Sequence, residues 1–265
     1  MADNCPVTPA EESALSVALG ISPKEIISLV GGGGKSTLMR KLALELAGLG
    51  YKVITTTTTH ILPDQAIGCF IMEKKEAVLL ERARLAISHN PVLTLACGQE
   101  TNGKLKGPDP VLIPKLLGFS DFVIVEADGA QRKPLKAPNG TEPVIIPETT
   151  TVIAMVGIDG VGKTASEVIF RHEIAGRLTG LAPDDTVTTQ AVVKLLVHPD
   201  GITRTSPAQS RKIVFINKVE TGQEASYAEE IAMSLKRQAL FSRVIIGKLE
   251  GDRPSIRMTQ INNSG

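Results

Sequence analysis

Short apolar runs alternate along the chain with segments whose apolar residues recur every three or four positions. Ile26–Val30 is apolar but for Ser28 and rich in β-branched residues, and it predicts a buried strand. From Thr37 to Leu49, Leu38, Met39, Leu42, Leu46 and Leu49 share one helical face, and Gly50 closes the helix. The same reading predicts strands over Lys52–Thr57, Ile67–Met72, Pro91–Ala96, Asp121–Ala127, Thr151–Val156, Ile213–Ile216 and Val244–Ile246. It predicts helices over Glu76–Ile87, Ala165–Leu178, Thr188–Leu196 and Ala225–Ala239. Thr8-Pro9-Ala10-Glu11 has the form of a capping box and starts a short helix that Gly20 ends. Gly98–Pro110 and Asp128–Glu148 read as loops. Strands alternating with helices imply parallel β-α-β units. The expected fold is therefore α/β, a P-loop NTPase-like, mostly parallel sheet with helices on both faces. Residues 1–22 form a helical lead-in, 23–249 the nucleotide-binding domain and 250–265 a polar tail.

Composition narrows the function classes. Hydrophobic residues make up 42% of the 265 positions, enough for a large core, while aromatics are 3% and Trp is absent, so that core is aliphatic. Few aromatics and a net charge of +1 argue against a nucleic-acid partner and against an anionic membrane surface. Cys5, Cys69 and Cys97 are dispersed and form no CxxC pair, so neither a disulfide framework nor a zinc site is expected. No secretory leader and no 18-residue apolar stretch is evident, and a cytoplasmic protein is expected.

The chemistry clusters at predicted strand ends. Gly31-Gly32-Gly33-Gly34-Lys35-Ser36-Thr37 lies between a strand and an amphipathic helix, the context a phosphate loop requires. Glycines bring backbone N–H groups close to phosphate oxygens, and the helix start adds positive potential. Lys35 is the candidate for the β- and γ-phosphates and Ser36 for Mg²⁺. Leu29 stands where G-x-x-x-x-G-K-S/T has its first Gly, so the match is to a shorter form like that of Mur-type ligases. It also resembles the loop of dimeric P-loop ATPases, but Val30 occupies the place of their signature lysine. Gly157–Thr164 matches the long form in full and competes on pattern, although its helix has a ragged apolar face. The alternative for either loop is a Gly-rich turn without a ligand.

Phe122-Val123-Ile124-Val125-Glu126-Ala127-Asp128-Gly129 reads as a strand ending in acids, with Glu126 and Asp128 placed to hold Mg²⁺ or orient a nucleophile. Lys133 and Lys136 follow in a segment expected to be a mobile basic loop, which could neutralise transition-state charge or be merely solvated. In the run Thr55–Thr59, Thr58 is the candidate metal-contacting hydroxyl, and His60 could meet substrate or phosphate. Asn217-Lys218-Val219-Glu220 is similar to the N-K-x-D base-reading element of GTPases, with Glu in place of Asp; GTP and ATP both remain open.

These blocks together resemble the YqeC family of selenium-dependent hydroxylase accessory proteins, over about Leu15 to Ile246. The run from Glu126 through the Pro-Leu-Lys-Ala-Pro at Pro134–Pro138 is the most specific part. The resemblance points to Gly31–Thr37, Thr56–His60, Glu126, Asp128, Gly129 and Lys136. It also implies that Gly157–Gly162 is a G-x-D-x-x-G turn, which makes Lys163-Thr164 a coincidence. What it implies functionally is a Mg²⁺-dependent ATPase or GTPase that helps mature a selenium-dependent molybdenum hydroxylase, with that enzyme or its maturation proteins as partners. A kinase or ligase activating a small molecule and a nucleotide-gated binding protein without turnover are the other readings.

Overall fold

A computed structural model describes residues 15–251 and 255–260. The first strands are β1 (Glu25–Gly31), β2 (Val53–Thr57), β3 (His60–Ile61), β4 (Cys69–Met72) and β5 (Val92–Ala96). Next come β6 (Gly98–Gln99), β7 (Leu105–Lys106), β8 (Phe122–Glu126), β9 (Leu135–Lys136) and β10 (Thr151–Gly157). The last are β11 (Ile169–Phe170), β12 (Arg211–Asn217), β13 (Arg243–Lys248) and β14 (Ser255–Gln260). The helices are α1 (Leu15–Leu19), α2 (Lys35–Gly48), α3 (Glu76–Ala86), α4 (Ile113–Leu116), α5 (Ala165–Val168), α6 (His172–Thr179), α7 (Thr189–Val197) and α8 (Gly222–Lys236).

Nine strands form one sheet in the order β14-β13-β12-β10-β1-β8-β2-β5-β4. Every pairing from β4 to β13 is parallel, and only β13 with β14 is antiparallel. This is the α/β, P-loop NTPase-like architecture that the alternation of apolar runs predicts. Period-two geometry explains the two cores. Ile27 and Leu29 of β1 face α1 and α2, packing with Leu38, Leu42 and Leu46. Val30, on the opposite face, packs with Val192 and Leu195 of α7 and Ile231 and Leu235 of α8. Ile26, on that same face, joins Leu79 and Ala83 of α3 and Leu116 of α4.

Three segments depart from the sequence reading, and a fourth is not described. The capping box at Thr8–Glu11 lies outside the described residues. The Gly98–Pro110 loop contains β6 and β7, which join β3 in a small sheet. The helix expected over Ala165–Leu178 is broken: Ile169 and Phe170 pair with Leu135 and Lys136, and Arg171 takes a left-handed conformation, φ 62°, that no helix can pass through. The segment read as a tail supplies β14, which covers the edge of β13. Among the described residues no helix is long and apolar enough to cross a membrane.

Candidate functional site

Strand β1 is central, between β8 and β10, so its exit lies at the carboxyl edge of the sheet, where doubly wound folds bind ligands. Gly31–Gly34 bridge that exit to α2. Gly33 and Gly34 have φ of 79° and 131°, and a Cβ there would lie 2.2 Å from the Gly157 nitrogen and 2.4 Å from Asn217 Nδ2. Only glycine fits this crowded path. The loop is braced from within. Gly31 N–H donates to Asp128 Oδ2 at 3.0 Å, Gly32 N–H to the Met155 carbonyl at 3.0 Å, and Gly33 N–H to the Lys133 carbonyl at 3.1 Å. Asn217 donates to the Gly33 carbonyl at 2.8 Å and accepts from the Leu249 amide at 3.0 Å.

The amides of Gly31, Gly32 and Gly33 are therefore paired within the protein. The donors left over belong to the first turn of α2, where no intrahelical carbonyl reaches Lys35, Ser36 and Thr37. Gly34 offers no side-chain cap, and no acid lies in that turn. The uncapped end opens onto a cavity of about 810 Å³ lined by Gly33–Thr37, Glu126 and residues of several other segments.

Lys35 is buried, with Nζ 2.6 Å from the Gly31 carbonyl, 3.1 Å from Asp128 Oδ1 and 3.9 Å from Glu126 Oε1. Burial disfavours its charge, but Asp128 and then Glu126 outweigh that and hold its pKa above the usual lysine value. Burial pushes the Glu126 carboxyl up, against the opposing pull of Lys35 and the Ser36 hydroxyl. Ser36 donates to Glu126 Oε2 at 3.0 Å, and Gln65 donates to the Ser36 hydroxyl. Asp128 Oδ1 is fully buried and accepts no aligned hydrogen bond; it has only the Lys35 ammonium beside it. Ser36 Oγ and Glu126 Oε2, 3.0 Å apart in the cavity lining, are hard oxygens of the kind a small divalent cation takes, with Asp128 Oδ1 buried outside that lining against Lys35.

Lys136 is fully buried, 2.9 Å from Asp128 Oδ2 and 2.6 Å from Glu142 Oε2. The same Glu142 oxygen accepts from Arg171 Nη1 at 2.7 Å. Burial raises the Glu142 pKa, but the hydrogen bonds from Arg171 and Lys136 outweigh it and hold the carboxyl below its ordinary value. Lys136 is thus not on a mobile loop: pairing of β9 with β11 and two ion pairs lock it. Lys133 lines the cavity with its stem, but its ammonium is spent on the Ser166 carbonyl at 2.7 Å.

Other candidates fall elsewhere. The Thr58 hydroxyl donates to the Val144 carbonyl at 2.7 Å, and it is its neighbour Thr59 that lines the cavity. His60 lies exposed at the rim, 3.2 Å from Glu100. Lys218 lines the cavity and pairs with Asp159 at 2.9 Å, whereas Glu220 sits outside the lining, 3.1 Å from Lys248. The full-pattern loop does not run directly from a strand into a long helix. Ile158–Gly160 is a 3₁₀ turn, Val161 is extended, and Lys163 is exposed ahead of a four-residue helix. Gly157 instead packs on Gly33. Gln65, Asp159, Glu142 and Arg171 went unassigned from sequence, because they come from four different segments with no spacing rule to join them.

Sheet, loop and acidic strand end define the chain as an α/β protein of the P-loop NTPase-like class. A family model described as YqeC protein matches residues 27–173. A relative from Escherichia coli (strain K12), named Uncharacterized protein YqeC, is 31% identical over 257 residues, 95% of this chain and 98% of its own length. The chain belongs to the YqeC family.

Proposed function

We propose that this protein binds a nucleoside triphosphate with Mg²⁺ in the cavity above Gly34–Thr37 and hydrolyses it. The observation that carries this reading is the 3.0 Å contact between Ser36, on the first turn of α2, and Glu126, at the end of β8. It joins a phosphate-loop hydroxyl to an acidic strand end, the pairing a phosphate-bound divalent ion requires. Ser36 and Glu126 would hold the Mg²⁺, whose positive charge would draw off negative charge from the phosphates. The uncapped amides of α2 bind phosphate oxygens. Lys35 leaves the Gly31 carbonyl and extends its ammonium to the terminal phosphates, already charged and already positioned. Glu126, as a carboxylate at the end of β8, would also help to orient the attacking water. The family resemblance extends the reading to an accessory role for a selenium-dependent molybdenum hydroxylase, driven by the conformational change that hydrolysis releases.

Calorimetric titration of Mg·ATP and Mg·GTP into wild type, Lys35→Ala and Lys163→Ala tests the site and the base together. Lys35→Ala should weaken binding by about tenfold or more, roughly 1.4 kcal/mol, and Lys163→Ala should leave it unchanged. Loss of binding in Lys163→Ala alone would overturn the site. Phosphate release on nucleotide addition separates a hydrolase from a binding protein without turnover.

A further inference from the structure

We propose that the cavity holds a second subsite, built on Arg171, for the oxyanion group (carboxylate or phosphate) of a small molecule bound beside the nucleotide. The proposal rests on the nucleotide reading and adds a second ligand to it. The cavity is rich in cations: Lys35, Lys104, Arg132, Lys133, Arg171 and Lys218 face three acids, Glu126, Glu142 and Glu250. The chain as a whole carries only +1. Several of these cations are already committed. Lys35 belongs to the phosphate loop, Lys133 to the Ser166 carbonyl, and Lys218 to Asp159.

Arg171 is different. Pairing of Ile169 with Leu135 and of Phe170 with Lys136 fixes the backbone just before it. Its own left-handed conformation, φ 62°, is one that a long side chain adopts only when its surroundings impose it. The guanidinium stacks 4.6 Å from the Phe170 ring centroid and gives Nη1 to Glu142. A guanidinium has five N–H donors in a rigid fork. Among the described residues the other donors of this one meet no protein acceptor, and the side chain lines the cavity. Such a fork matches a carboxylate or phosphate edge, and the Phe170 ring offers an apolar wall to the carbon skeleton attached to it.

Arg171 connects to Lys35 through a run of ion pairs, Lys35–Asp128, Asp128–Lys136, Lys136–Glu142 and Glu142–Arg171, so three side chains separate the two cations and each can hold an anion of its own.

The test saturates the protein with Mg²⁺ and a non-hydrolysable ATP analogue, then follows by calorimetry the addition of inorganic phosphate and, separately, succinate. Wild type should bind at least one of the two saturably at one site, and which one binds identifies the group. Arg171→Gln should weaken that binding by about tenfold or more while the analogue's affinity stays within about twofold. Arg171→Lys, which keeps the charge and loses the fork, provides a milder variant should Arg171→Gln fail to fold, and it should also lose most of the affinity. Absence of saturable binding of either anion to the loaded wild type overturns the subsite. Equal weakening of analogue and anion in the variants overturns it too, by placing Arg171 in the nucleotide site. If neither this analogue nor its GTP counterpart binds wild type, the nucleotide reading fails and this proposal with it; if only the GTP analogue binds, the anion titrations are run on that complex.

Discussion

Glu142 holds two cations on one oxygen, so its protonation costs the site both ion pairs. Its folded pKa lies below the ordinary 4.5, so its contribution to stability is complete above about pH 4.5 and is lost as pH falls through the lower, folded value. Thermal melts of wild type and Glu142→Gln should therefore differ most above about pH 5 and converge under more acid conditions. Lys35 has the opposite sign: its raised pKa gives stability that is complete below 10.5 and is lost only as pH rises past the folded value. Asn217 shows how a motif can be legible while its role is not. The N-K-x-E pattern suggests base reading, but the side chain braces the loop, and Glu220 turns to Lys248. A four-residue pattern carries no information on which neighbour each side chain meets. Asn217→Ala leaves the Gly33 carbonyl and the buried Leu249 amide without their partner and should cost about 1–3 kcal/mol in urea unfolding, with weaker nucleotide binding.

At the scale of elements, the long strands and helices were readable because each buries a periodic face. β1, α2, β8, β10 and α8 all fall within a few residues of the spans that the apolar pattern predicts. The glycine loop between β1 and α2 was readable because a strand, glycines and a helix follow one another directly. What escaped were two-residue strands such as β9 and β11, whose pairing depends on residues more than thirty positions apart. That small sheet breaks the expected helix and positions Lys136 and Arg171. The start of α8 was also set two to three residues late, because its signal is the capping box of Thr221 and Glu224 and not the apolar face. Thr221→Ala should lower stability by about 1 kcal/mol, read from denaturant melts, without touching ligand binding. Leu29→Ala, at the core of β1, should cost about 2–5 kcal/mol in the same assay.

For the whole molecule, the sheet order could not be read from sequence, since periodicity states which face is buried and not which strand is the neighbour. The placement of β1 between β8 and β10 is what brings Ser36 to Glu126 and Gly33 to Gly157. The late antiparallel strand β14 covers the backbone edge of β13. Deleting residues 252–265 should bare that edge, lower the melting temperature by several degrees and promote association, visible by light scattering.

The Asn217 side chain touches the phosphate loop at Gly33 with one end and the chain just past β13, at Leu249, with the other. One planar amide group cannot move at one end alone. Any shift of the glycine turn must tug on the Leu249 proton, some two hundred positions away along the chain, so that proton's nuclear resonance becomes a gauge of what the loop is doing.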